Sequence, residues 1–297
     1  MAEIAFLGLG NMGGGMAANL VKAGYKVWGF DPFEPARLRA EQAGVANVPS
    51  IVNAVKDADV IVTMLPAGKE VRETYEGHVF GAAKPGALLI DCSTIDVASA
   101  RAVTEGATKR GFVMVDAPVS GGIAAAQSGT LTFMVGGTDA AFVKVEPILA
   151  TMGKAVIHAG ASGAGQAAKI CNNMLLGISM IGTCEAFVLA EKLGLDAQKF
   201  FDIASKASGQ CWSLTSYCPV PGPVPTTPAN RGYEPGFAVA MMLKDLKLSQ
   251  QSAQGAGATT PLGAHAEALY GAFAAAGFSG KDFSGIIEYL RHLEPKQ

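Results

Sequence analysis

Charge is scarce in this chain. Of 297 residues only 16% are Asp, Glu, Lys or Arg, the net charge is −2, and no basic run appears. That removes the electrostatic footprint by which proteins hold nucleic acid or an acidic membrane surface. Histidine is scarce as well. His78, His158, His265 and His292 are scattered and form no H-E-x-x-H, so no metal site and no histidine base are expected. The five cysteines (Cys92, Cys171, Cys184, Cys211, Cys218) include no C-x-x-C pair. Their odd number points to reduced thiols and a cytoplasmic location. There is no G-x-x-x-x-G-K-[ST] phosphate loop, and Gly160-Ala161-Ser162-Gly163-Ala164 misses a nucleophile elbow for want of a final glycine. The longest mainly apolar run, Met174 to Cys184, is too short to span a bilayer. A strand-like run begins at Ile4 and leaves no room for a targeting segment, so neither a membrane nor a nucleic-acid partner is expected.

What is present is apolar and rich in glycine: 49% hydrophobic residues and 37 glycines. At this length one core is near its limit, and two domains are the expectation. The first strand, Ile4 to Leu7, feeds Gly8-Leu9-Gly10-Asn11-Met12-Gly13, then a helical segment, then a second strand, Tyr25 to Phe30, which ends on Asp31. Strand, glycine turn, helix, strand and acid in that order describe a dinucleotide-binding βαβ unit. Gly8 permits the tight turn, Gly10 lets a pyrophosphate approach the backbone, and Gly13 lets the helix pack close. Asp31 suits the adenosine ribose hydroxyls and opposes a 2′-phosphate, which favours NAD over NADP. Further strands run from Val60 to Leu65, Ala87 to Cys92 and Phe112 to Val115. Ligands of open α/β sheets lie beyond the carboxyl ends of strands. Met64-Leu65-Pro66 and Ser93-Thr94 therefore sit where the nicotinamide half belongs, although Ser93 could equally cap a helix. Asp116-Ala117-Pro118-Val119-Ser120-Gly121-Gly122 follows; its Ser120-Gly121-Gly122 end offers a hydroxyl and close-set N–H groups that suit a carboxylate, although such a stretch taken alone is more often just a turn. More strands are read at Gly129 to Val135 and Ala155 to His158, flanking a helix from Asp139 to Leu149.

From about Gly163 no strand pattern remains. Gly165 to Lys192 contains no proline and reads as one helix of about 28 residues, near 42 Å. Its apolar residues occur all round, so it is expected to be buried and to cover part of a second subunit, as a homodimer or homotetramer. Lys169 and Asn173 lie four apart on it and share a face. Taken alone, Lys169 reads as a side chain that snorkels to solvent. For a dehydrogenase with no zinc site and no catalytic histidine, lysine is the remaining acid/base, provided burial and a cationic cofactor bring its pKa down from about 10.4. Tyr217 to Pro235 is a proline-rich loop, either an ordered cover or a mobile lid. Lys244 and Asp245 are neighbours in a later helix, and neighbours point to different sides.

Together these motifs resemble the β-hydroxyacid dehydrogenase family along essentially the whole chain. Gly8 to Gly13 is similar to its cofactor loop, Asp116 to Gly122 to its substrate signature, Gly163 to Asn173 to its catalytic motif, and Lys244-Asp245-Leu246 to its C-terminal motif. The resemblance implies an α/β fold: a doubly wound, Rossmann-type sheet over residues 1–162, then an all-helical domain over 163–297, with the active site in the cleft. It implies oxidation of a small hydroxycarboxylic acid with hydride transfer to NAD. Lys169 is then the general acid/base, and Asn173 holds the substrate hydroxyl and orients Lys169. Ser120, Gly121 and Gly122 take the carboxylate. Lys244 reaches the nicotinamide end of the cofactor or the substrate, with Asp245 in support. Cys211-Trp212-Ser213 followed by Pro219-Val220-Pro221-Gly222 narrows the resemblance to the branch that takes a short branched hydroxy acid from amino-acid breakdown. A substrate smaller by one methyl differs by only about 1–3 kcal/mol and stays open. A cofactor-binding sensor without chemistry is the alternative from another class, and Lys169 and Asn173 on one face argue against it. One departure is Gly15, which stands where the family has proline and should loosen the first helical turn by up to about 1 kcal/mol.

Overall fold

The computed structural model describes residues 2–293. The chain divides into two compact units, Met1–Lys169 and Ile170–Gln297. In the first, nine strands form one sheet among the described residues: β1 (Glu3–Leu7), β2 (Lys26–Phe30), β3 (Ala46–Asn47), β4 (Val60–Thr63), β5 (Leu88–Asp91), β6 (Val113–Asp116), β7 (Val119–Ser120), β8 (Leu131–Gly136) and β9 (Gly153–Gly160). Their order is β3-β2-β1-β4-β5-β6-β8-β7, with β9 beside β8. The first six are parallel, and the chain leaves β1 toward one edge and then returns to build β4, β5 and β6 on the other side. This is the doubly wound arrangement the sequence implies. Beyond β6 the sheet turns mixed: β8 runs antiparallel to β6 and β7, and parallel to β9.

The strands read as unbroken apolar runs because both sheet faces are covered. Ile4, Phe6, Val62 and Ile90 enter the core on one face, while Ala5, Leu7, Ile61 and Leu89 enter the core on the other. The helices Glu34–Gln42, Ile51–Val55 and Gly68–Thr74 lie in stretches to which the sequence reading assigned no element. They are short, and the first is strongly polar, so little apolar periodicity marks them. Several strand ends also move. β4 stops at Thr63, not Leu65, because Thr63 turns its hydroxyl onto Asp91 and the Leu65 N–H is taken by the Ser93 hydroxyl. Ser120, read as loop, belongs to β7 and pairs with Thr132.

The second unit is helical, with no strand among its described residues. The long helix spans Ala164–Lys192, and its Met180, Cys184 and Phe187 pack with Met242, Leu246 and Tyr270 from the helices Val239–Ala256 and Pro261–Phe273. By length and composition this whole helix, unlike the run Met174 to Cys184 alone, could cross a membrane. Here it is the central helix of a protein core. Within a single chain it is not buried all round: Leu175 and Leu189 are 63% and 60% exposed, since its neighbours in this chain cover only part of its circumference. The proline-rich loop is an ordered cover. Val220, Thr227 and Tyr233 in it are buried, and the Tyr233 hydroxyl donates to the Pro219 carbonyl at 2.9 Å.

Candidate functional site

Parallel register brings the expected cofactor residues to one end of the sheet. Leu7 pairs with Phe30 and Thr63, Thr63 with Asp91, and Asp91 with Asp116, so every loop that follows leaves from the same edge. The winding reverses between β1 and β4, and there the glycine turn meets the loop after β4. Gly8 has φ +93°, and a Cβ on it would overlap the Met64 carbonyl oxygen. A Cβ on Gly13 would overlap the Gly8 carbonyl oxygen, so this glycine closes the helix onto the strand. Gly10 differs from both, with only open space where a Cβ would stand, and it is exposed. The first helix, Gly13–Lys22, starts beside it with no side-chain cap and no acid in its first turn, which leaves a positive dipole end facing that space. Asp31 accepts the Leu9 N–H at 2.7 Å and the Phe33 N–H at 2.8 Å and is thereby fixed at the end of β2. An open glycine, an uncapped helix start and an oriented carboxylate fit the pyrophosphate and ribose of a dinucleotide.

Behind the loops after β4 and β5 lies a buried polar chain in which the sequence reading picked out Ser93 but missed Asp91 and Gln166. Asp91, 2% exposed, accepts the Thr63 hydroxyl at 2.7 Å and the Ser93 hydroxyl at 2.6 Å. Burial outweighs these bonds and raises its pKa to about 6. Ser93 is not a helix cap. Its hydroxyl also accepts the Leu65 N–H at 2.8 Å, so it fastens the loop after β4 to the loop after β5. The helix that follows, Val97–Lys109, is capped by Asp96. The Ser93 carbonyl accepts the Gln166 amide at 2.7 Å, and the Ile95 N–H donates to the Gln166 carbonyl oxygen at 3.1 Å.

Asp116 is a second buried carboxylate. It accepts the backbone N–H groups of Gly163 at 2.7 Å and Gln166 at 3.0 Å, and so pins the first turn of the long helix to the end of β6. Burial raises its pKa in spite of those bonds. A Cβ on Gly165 would overlap the Met134 carbonyl oxygen and crowd the Asp116 carboxylate, which explains a glycine inside this helix start. Lys169, 7% exposed, follows Gln166 by three residues on that helix and shares its face. Gly121 and Gly122, with φ +134° and +70°, lead into the helix Gly122–Ser128 and use backbone that favours glycine. That helix also accounts for Gly15. A Cβ there would stand 3.0 Å from Ala126 and Gln127 backbone atoms, so Gly15 permits close helix packing and is more than a loosened turn.

In the helical unit, Asn173 is 2% exposed and its amide donates to Asp245 Oδ2 at 2.5 Å. The Lys244 ammonium is 3.9 Å from the other oxygen of Asp245. Lys244 and Asp245 differ in exposure, as neighbours on a helix do, and the flexible lysine stem folds its charge back toward the neighbouring carboxylate. Asn173 and Lys244 thus meet on Asp245.

Comparison with known proteins gives the family. Residues 3–160 match the NAD binding domain of 6-phosphogluconate dehydrogenase, and residues 163–290 match the family described as NAD-binding of NADP-dependent 3-hydroxyisobutyrate dehydrogenase. The "Probable 3-hydroxyisobutyrate dehydrogenase" of Mycobacterium tuberculosis is 52% identical over 291 residues, 98% of each chain. The 3-hydroxyisobutyrate dehydrogenase of Pseudomonas aeruginosa is 48% identical over 297 residues, covering 98% of this chain and 99% of its own. A solved M. tuberculosis 3-hydroxyisobutyrate dehydrogenase, titled with L-serine, superposes with a TM-score of 0.94 at 52% identity over 98% of this chain and 99% of its own. The doubly wound sheet, the match to an NAD-binding domain and the named dehydrogenase relatives define an NAD-dependent oxidoreductase. Within that class, the chain belongs to the β-hydroxyacid dehydrogenase family.

Proposed function

We propose that this chain oxidises 3-hydroxyisobutyrate to methylmalonate semialdehyde with NAD, as a step of valine breakdown in the cytoplasm. The observation that carries the chemistry is Lys169: a buried amine on a helix whose first turn Asp116 fixes to the carboxyl end of the sheet. Identities of 52% and 48% with chains named for this activity support the substrate. L-serine, present with the solved relative, likewise carries a hydroxyl on the carbon β to a carboxylate. Five free thiols suit a reducing compartment.

Bound NAD supplies a nicotinamide ring that accepts the hydride. Lys169 takes the proton from the substrate's C3 hydroxyl as the hydride leaves C3, so the alcohol becomes an aldehyde, and it returns that proton in the reverse direction. Asn173 holds the hydroxyl, its own amide oriented by Asp245. Ser120 and the N–H groups of Gly121 and Gly122 take the carboxylate, and Lys244 adds positive charge for the carboxylate or the cofactor. The turn Gly8 to Gly13 with Asp31 holds the adenosine half, and Met64, Leu65, Pro66, Ser93 and Thr94 border the nicotinamide half. Residues 1–162 are assigned as the dinucleotide-binding domain, which also lends Ser120, Gly121 and Gly122 to the substrate, and residues 163–297 as the domain of the remaining substrate and subunit contacts. The exposed Leu175 and Leu189 support a homodimer or homotetramer.

Replacement of Lys169 by alanine tests the central role. Turnover is expected to fall about 10²–10⁴-fold, the usual contribution of a general acid/base, while NAD still binds. A variant that keeps more than a tenth of wild-type kcat contradicts the assignment.

A further inference from the structure

Gln166 has no part in the chemistry proposed above, yet its side chain is wholly buried at 0% exposure. A buried carboxamide must satisfy both a donor and an acceptor, and here both are satisfied by one loop. The amide nitrogen donates to the Ser93 carbonyl at 2.7 Å, and the amide oxygen accepts the Ile95 N–H at 3.1 Å. The two bonds bracket Thr94 and fix both the distance and the tilt of that segment, which a single bond would leave free. Through Ser93 the hold extends further, since its hydroxyl accepts the Leu65 N–H and donates to Asp91. The Gln166 backbone N–H is itself held by Asp116 at 3.0 Å. Lys169 stands three residues on, about 4.5 Å along the same helix and on the same face. One neutral side chain therefore links the helix that carries the lysine to both loops at the nicotinamide end, and it brings no charge near the amine.

We infer that Gln166 is a positioning residue: its two-point contact with Ser93 and Ile95 sets the spacing between the Lys169 amine and the nicotinamide loops, and so governs hydride transfer and not affinity. The inference rests on the function proposed above. Catalytic geometry is steep in distance, with displacements near 1 Å costing up to about 10²-fold.

The test compares wild-type enzyme with Gln166→Leu, which removes both bonds, and Gln166→Asn, which keeps the carboxamide but shortens its reach. With saturating NAD and 3-hydroxyisobutyrate, kcat of Gln166→Leu is expected to fall about 10–100-fold, with a smaller fall for Gln166→Asn. The Kd for NAD, read by fluorescence quenching, stays within about threefold. The primary deuterium isotope effect at C3 rises, because the chemical step then limits turnover; a purely structural amide would leave it unchanged. If only Gln166→Asn folds, by circular dichroism, it carries the comparison alone. Folded variants with kcat within about twofold of wild type overturn the inference. So does lost NAD affinity with unchanged kcat at saturation, and so does failure of both variants to fold, which would make the amide a folding element. Wild-type enzyme inactive on every hydroxy acid would instead sink the proposed function, and this inference with it; active wild type with unaffected variants sinks this inference alone.

Discussion

Asp91 ends β5 with a carboxylate that water barely reaches, and the protein answers its charge with the Thr63 and Ser93 hydroxyls and the Ser93 N–H. The result is a pKa raised from 3.8 to about 6, with burial as the first cause. A carboxylate whose folded pKa is raised binds its proton more tightly folded than unfolded. Its contribution to stability therefore improves as pH falls from about 7 toward 4, and it is least favourable above pH 6. Asp91→Asn cannot titrate but keeps an oxygen for the same hydroxyls. Urea unfolding at pH 7.5, 6 and 4.5 should show the wild type gaining on this variant by about 2 kcal/mol as pH falls. A difference that stays flat, or moves the other way, would contradict the burial argument. Gln166 belongs to the same scale. Nothing in the sequence marks it beyond its place one turn before a lysine, because a side-chain bond between residues 166 and 93 has no local pattern to betray it.

Among elements, the long helix does the most and was the most legible. The absence of proline from Gly165 to Lys192 and the Leu193-Gly194 stop foretold a helix that the structure draws as Ala164–Lys192. The βαβ unit was equally plain, since Gly8, Gly10 and Gly13 have distinct steric duties that only glycine fulfils. The helices between Asp31 and Val60 were not legible, because their packing and not their composition selects them. The cap of the long helix was also hidden. Asp116 reaches it from 47 and 50 residues away and pairs with Gly163 and Gln166, where a sequence reading looks for a cap next door. Composition called for a second subunit against this helix, and within one chain Leu175 and Leu189 stay exposed, 14 residues apart and close to one line. Light scattering should give a particle of two or four chains, and lysine at both positions should lower that number. A wild-type monomer at micromolar concentration would contradict the role given to this face.

At the scale of the whole molecule, a chain poor in charge and histidine assigns its polar groups to a few buried clusters. One, at the carboxyl ends of β4 and β5, suits the cofactor, and Asp245 gathers Asn173 and Lys244 in the helical unit. The chemistry proposed for this chain rests on a lysine, an amide and backbone N–H groups. The measurement that bears most directly on this account is the initial rate of NAD reduction across a panel: both enantiomers of 3-hydroxyisobutyrate, 3-hydroxypropionate, glycerate, serine and 6-phosphogluconate, each repeated with NADP. The account predicts a kcat/KM for one 3-hydroxyisobutyrate enantiomer at least about tenfold above every other acid, in keeping with the 1–3 kcal/mol that one methyl is worth in a fitted pocket, and NAD preferred. A preference for 3-hydroxypropionate or glycerate would contradict the substrate assignment, and no turnover on any acid while NAD still binds would contradict the enzyme itself.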